Sequence, residues 1–199
     1  MLIRLYDKNP SERELRRIVE VLRRDGVVIY PTDSLYAYGC SLQQPRAIER
    51  LLRLKGKQTS DLAVLFADIA QAAEYCRVDN AAFRLLKRNL PGPFTFLLPA
   101  SSRIPARALG KRRTIGMRIP DNAVARAIVG ALGAPLATSS LPVGDEPEYV
   151  TDPELIHERF GREAEIVVDG GPGGTEPTTV VDLTQGEAEI VRQGRGVLD

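Results

Sequence analysis

The chain has 199 residues, 43% hydrophobic and 27% charged, with a formal net charge of +1. Its length fits one domain able to bury a core, and the near-neutral balance argues against a strongly basic, sequence-blind nucleic-acid binder. One histidine, His157, and two cysteines, Cys40 and Cys76, leave no His-rich metal site or disulfide framework and argue against a Ser-His-Asp triad.

Ser11 opens a helix. Glu14 completes a capping box, and Leu15, Ile18, Val19 and Leu22 recur at helical spacing until Gly26 stops the run. Residues 27–30 read as a buried strand that ends at Pro31, with the polar turn Thr32-Asp33-Ser34 behind it. Pro45 begins a second helix that ends near Gly56. The pattern then predicts a strand over 62–66, helices over 68–75 and 80–89, a strand over 94–98, a short helix over 103–109 and a strand over 114–119. A helix over 121–132 closes at Gly133. After it come a strand over 135–138, a helix over 152–160, and strands over 165–168, 179–183 and 187–192. Helices and strands alternate with short connections, so the class is α/β with a mixed sheet, in one domain over residues 1–199. The Gly/Pro-rich loops 141–150 and 169–178 each follow a strand and are expected to cover a site.

Polar side chains cluster at strand ends, where an open α/β sheet usually places its ligand. Lys55 and Lys57 follow a helix end, where cations suit the helix dipole. Arg118, near the end of a strand, is too costly to bury unpaired and must meet an anion, either a structural carboxylate or a ligand. Thr138, Ser139 and Ser140 end a strand and can cap a turn or donate to an anion. Thr178 and Thr179 start another strand, and Arg192 and Arg195 flank Gly194. Gly170-Gly171-Pro172-Gly173-Gly174 matches no phosphate loop and reads as a turn. Met1 to Pro10 lacks the apolar stretch of a secretory signal, and no apolar run is long enough to span a bilayer, so a cytoplasmic protein without membrane contact is expected.

Seven motifs in order carry a family resemblance. They are Pro31-Thr32-Asp33 with Tyr36, Lys55, Pro91 to Thr95, Gly116-Met117-Arg118-Ile119-Pro120, Thr138-Ser139-Ser140, Pro177 to Asp182, and Arg192 with Gly194. Together they resemble the YrdC/YciO family of threonylcarbamoyl-AMP synthases over nearly the whole chain, closest to its YciO branch. The resemblance implies a YrdC-like twisted open mixed sheet with flanking helices and a basic concave face. It implies a nucleotidyltransferase that makes threonylcarbamoyl-AMP from threonine, bicarbonate and ATP for tRNA modification, with Mg2+ carried by the nucleotide. It assigns threonine to Thr32, Arg118, Thr138 and Thr178, and nucleotide to Lys55, Lys57, Thr114, Ser140 and Arg192, with no protein nucleophile. Four positions depart from the family pattern: Lys57 stands for Arg, Ser140 and Leu141 stand for Ala and Asn, and Asp61 stands where a Lys or His is usual. An alternative is therefore a YciO-type module that binds tRNA, double-stranded RNA or ribosomes with little synthase activity. A hydrogenase-maturation carbamoyltransferase shares the domain but needs modules this chain lacks.

Overall fold

A computed structural model describes residues 1–56, 62–109 and 113–199. In chain order the elements are β1 (Leu2–Arg4), α1 (Glu12–Arg23), β2 (Val28–Tyr30), β3 (Ala37–Ser41), α2 (Pro45–Lys55), β4 (Ala63–Leu65), α3 (Ile69–Tyr75), α4 (Asn80–Asn89), β5 (Phe94–Pro99), β6 (Thr114–Arg118), α5 (Ala123–Leu132), β7 (Leu136–Ser140), α6 (Glu148–Thr151), α7 (Pro153–Phe160), β8 (Ile166–Asp169), β9 (Thr179–Asp182) and β10 (Glu189–Arg192). The ten strands form one mixed sheet in the order β1-β8-β2-β3-β7-β4-β6-β5-β9-β10.

Local chemistry sets the helix starts. Ser11, Asp68, Asp79, Asn122 and Asp152 each accept a backbone N–H of the following turn through their side chains, the N-cap arrangement that these residue types favour. The Ser11 cap of α1 is thus as expected, while the Glu14 carboxylate accepts from Arg13 and Arg17.

Two apolar clusters lie on opposite faces of the sheet. On one face Ile18 and Leu22 of α1, and Ile128 and Val129 of α5, pack on Val28, Tyr30, Leu65, Leu136 and Val168. On the other, Ile48, Leu51, Leu86 and Ile156 pack on Ile29, Val64, Phe96, Met117 and Val167. Because side chains alternate along a strand, the face that carries Leu65 and Leu136 also carries Ala63, Gly116, Arg118 and Thr138. Two helices cover only part of this face. From the Ala63 and Thr138 ends of β4 and β7 outward over β6, β5, β9 and β10 it is open, and this opening makes the site.

Two strands escape the sequence reading. β1 is a three-residue edge strand paired in parallel with β8. β3 pairs β2 and β7, and all five of its residues are buried. Cys40 lies on β3, and both cysteines are buried. Among the described residues, no helix is long and apolar enough to cross a membrane.

Candidate functional site

The open face holds a cavity of about 760 Å³ whose lining includes Lys55, Arg118, Thr138, Ser140, Thr178 and Arg192. Six of the expected ligand residues thus meet, from β6, β7, β10, the residue before β9 and the end of α2. The described lining carries three cations and no carboxylate, and half-buried Leu97 and Val180 supply an apolar floor. The floor is low because the residues there are small. A Cβ at Gly116 would sit 2.7 Å from the Thr95 methyl and 3.4 Å from the Ala63 Cβ. A larger residue would therefore push into the strand pair or fill the cavity.

Sheet register sets the spacing of the cations. Leu65 pairs with Arg118, Thr95 with Val180, and Val180 with Arg192. The β5–β6 register continues to bring Thr95 opposite Arg118. Arg118, Thr95, Val180 and Arg192 therefore form one row across the sheet. Arg118 and Arg192 are three strands apart, about 14 Å at the backbone. They face the same cavity, and the Arg192 guanidinium reaches back over β9 to the Thr178 hydroxyl at 3.4 Å.

Arg118 is the deepest charge, 3% exposed. Its Nη2 donates to Asp33 Oδ1 at 3.0 Å and to Ser34 Oγ at 3.2 Å. Its Nε is buried and has no hydrogen-bond partner among the described residues. The two sequence-level alternatives for Arg118 hold together: a structural carboxylate takes one edge, and a free buried donor remains for a ligand.

Thr32 is 6% exposed and lines an adjoining cavity of about 370 Å³ with Asp33, Ser34, Asp121 and Arg195. Its hydroxyl donates to the Leu35 carbonyl at 2.7 Å and accepts the Ser34 amide at 3.1 Å. With that proton committed, the Ser34 hydroxyl 3.1 Å away must donate to Thr32 and accept from Arg118. Thr32 thus sets Arg118 through Ser34, and its own hydroxyl is filled.

Thr138 is similarly engaged. It donates to the Tyr38 carbonyl at 3.0 Å and so accepts from the Tyr30 hydroxyl at 2.7 Å. Burial pushes the Tyr30 phenol up to about 12, which keeps it a donor. One lone pair of Thr138 is left for a ligand N–H. Thr178 shares a 2.8 Å hydroxyl contact with Thr95, and its carbonyl accepts Arg192 Nη2 at 2.9 Å. Gly194 makes this possible, since a Cβ there would lie 2.3 Å from the Pro177 carbonyl and 2.5 Å from that of Thr178.

Thr114 lies at the opposite end of β6 from Arg118, paired with Pro99, and is not among the residues that line the cavity. Lys57 and Asp61 lie outside the described residues. Leu141 is 2% exposed and belongs to the core cluster on the helix-covered face away from the cavity. The glycine turn after β8 is pinned by Gly173 N–H to the Thr151 carbonyl, Gly174 N–H to the Ser34 carbonyl, and the Tyr36 hydroxyl to the Gly171 carbonyl. It is a fixed wall of the second cavity. Sequence reasoning gave no role to Thr95, Asp33, Ser34 or Ala63. The polar Thr95 between Phe94 and Phe96 was the available signal.

The fold and site define an α/β protein with a cationic cavity on an open sheet face, its described lining without a carboxylate, suited to a small anionic ligand. The sequence profile of the Sua5/YciO/YrdC family, described as telomere recombination, matches residues 20–194, and the chain belongs to this family. It is 39% identical to the uncharacterized protein YciO of Escherichia coli K12 over 96% of this chain and 94% of that one. The crystal structure of E. coli YciO superposes with a TM-score of 0.92, covering 99% of this chain and 97% of YciO. A threonylcarbamoyl-AMP synthase of Halorhodospira halophila is 34% identical over 86% of this chain and 91% of its own. Sua5 of P. abyssi complexed with L-threonine superposes with a TM-score of 0.88 at 26% identity, over 98% of this chain and 57% of that one.

Proposed function

We propose that the chain is a threonylcarbamoyl-AMP synthase-like nucleotidyltransferase that uses threonine, bicarbonate and ATP in the cytoplasm. The observation that carries this reading is the buried, partnerless Nε of Arg118 in a cavity bordered by Lys55 and Arg192. A single deep donor suits a carboxylate, and the outer cations suit a polyphosphate. Similarity to named synthases and to a threonine-bound Sua5 supports the same substrates.

The chemistry needs no protein nucleophile. The threonine amine takes up bicarbonate, losing water, to give a carbamate. A carbamate oxygen bonds the α-phosphorus as the bond to the bridging oxygen breaks, and pyrophosphate leaves. Arg118 holds the threonine carboxylate in a geometry set by Thr32, Ser34 and Asp33. Thr138 accepts a ligand N–H, and Thr178, just before β9, faces the substrate. Lys55 and Arg192 neutralise phosphate charge, with Ser140 at the rim and Lys57 as a further nucleotide contact. Catalysis is then proximity and electrostatics. The described lining offers no carboxylate for magnesium, so Mg2+ fits as an ion carried by phosphates and water. The product's threonylcarbamoyl group would pass to tRNA.

The test is pyrophosphate release with and without threonine and bicarbonate. Release that requires both supports the reading, and no release with either overturns it. A second reading is a YciO-type module for double-stranded RNA, tRNA or ribosomes. Greater identity to YciO than to the synthases favours it.

A further inference from the structure

Arg118 meets its ligand already paired. Asp33 Oδ1 accepts from Nη2, Asp33 Oδ2 accepts the Asp121 amide at 2.8 Å, and the two side chains are only 4% and 8% exposed. The pair is electrically balanced before a ligand arrives, yet Nε still lacks an acceptor. These facts set two requirements. The ligand must offer an oxygen to Nε, and it must not leave a net negative charge in a place shielded from water, where an uncompensated charge is costly. A simple carboxylate meets the first requirement and fails the second. An amino-acid zwitterion meets both, because its carboxylate arrives with its own ammonium. With a neutral residue at position 33 the preference turns over, since the lone guanidinium charge is then best balanced by a plain anion.

We propose that Asp33 is a specificity-determining residue whose charge makes the Arg118 subsite select α-amino-acid zwitterions over simple carboxylates. The proposal rests on the threonine reading above. Hydrogen bonding alone would not produce it, since an amide at position 33 could still accept from Arg118, and the exposed Asp121 amide could turn to water.

The test is calorimetric titration of the whole chain with threonine and with 3-hydroxybutyrate, the same skeleton without the amine. The unmodified protein should bind threonine about tenfold or more tightly than 3-hydroxybutyrate, and Asp33→Asn should narrow or reverse that ratio by a similar factor. Ser34→Ala, which removes a neutral partner of Arg118, should weaken both ligands together and leave the ratio alone. If Asp33→Asn does not fold, Asp33→Ser is read the same way. Equal binding of the two ligands by the unmodified protein overturns the proposal. So does an unchanged ratio in the neutral variant, or an equal change in Ser34→Ala. If the unmodified protein binds neither ligand, the threonine reading itself fails and takes the proposal with it, a result visible before any variant is made.

Discussion

Replacing Leu141 by Asn restores the residue usual in the family pattern, yet the structure predicts a damaged protein. Leu141 is 2% exposed among the apolar side chains of the helix-covered face, and its N–H is fixed by the Tyr36 carbonyl at 2.9 Å. Losing a fully buried leucine costs about 1.5–3 kcal/mol. An amide placed there without partners adds about 1–3 kcal/mol. We expect Leu141→Asn to lose about 3–5 kcal/mol, a melting-temperature drop of about 6–20 °C for a domain of this size. Urea unfolding at constant m-value gives the free energy, and a thermal melt gives the shift. Leu141→Met, nearly volume-conserving, should lose less than about 1.5 kcal/mol. Pyrophosphate release should not rise in the Asn variant. Stability within about 1 kcal/mol of the unmodified chain, or faster synthase turnover, would refute the placement of Leu141 on the far side of the sheet from the cavity.

Three further outcomes are expected. Arg192→Ala and Lys55→Ala should each weaken ATP binding by about tenfold, read by calorimetry, with threonine binding little changed. Gly194→Ala should lose about 1–3 kcal/mol in a denaturant titration and also weaken ATP, because its methyl would meet the carbonyls that position Arg192. Glu165 is pushed up by partial burial, but hydrogen bonds from Arg50 and the Val27 amide outweigh this and hold its pKa below 4.5. Its contribution is therefore present above the unfolded carboxylate pKa and is lost as pH falls through the lower folded value. The stability gap between the unmodified chain and Glu165→Gln should be constant near neutral pH and shrink below about pH 4.5.

Much of the architecture was legible from residues. A capping side chain and helical spacing located α1, the residue pattern located α4 and α5 (with Gly133 closing α5), and apolar runs located β2, β6 and β8. What failed was short and non-local. β1 is three residues held by pairing with β8 across the chain. β3 carries Tyr38, Gly39 and Ser41 among its apolar residues, so its burial came from its neighbours β2 and β7 and not from its own pattern. At the site, residue types identified the cations and hydroxyls. They could not tell which partners a hydroxyl takes. Thr32 and Thr178 look alike in sequence, yet the first is bonded within its own turn while the second is bonded to Thr95 and Arg192 beside the cationic cavity. Strand parity was the other missing information. Thr138 and Ser140 share a face with Gly116, and Leu141 lies in the opposite core.

Depth in the cavity separates the two functional readings better than total charge does. Arg192 is exposed and Lys55 half-buried, and each borders the opening. A nucleic-acid backbone could reach such rim cations, with the salt dependence that counterion release brings. It could not reach the buried Nε of Arg118, which a small carboxylate could fill. The two activities should therefore separate in a single variant. Arg118→Gln keeps a donor toward Asp33 but removes the charge. It should lower threonine affinity by about tenfold or more, the worth of a charge-assisted bond, and leave any RNA affinity and its salt slope unchanged. If RNA binding falls together with threonine binding while the variant stays folded, the two ligands share the deep subsite, and the division of labour between Arg118 and the rim cations is wrong.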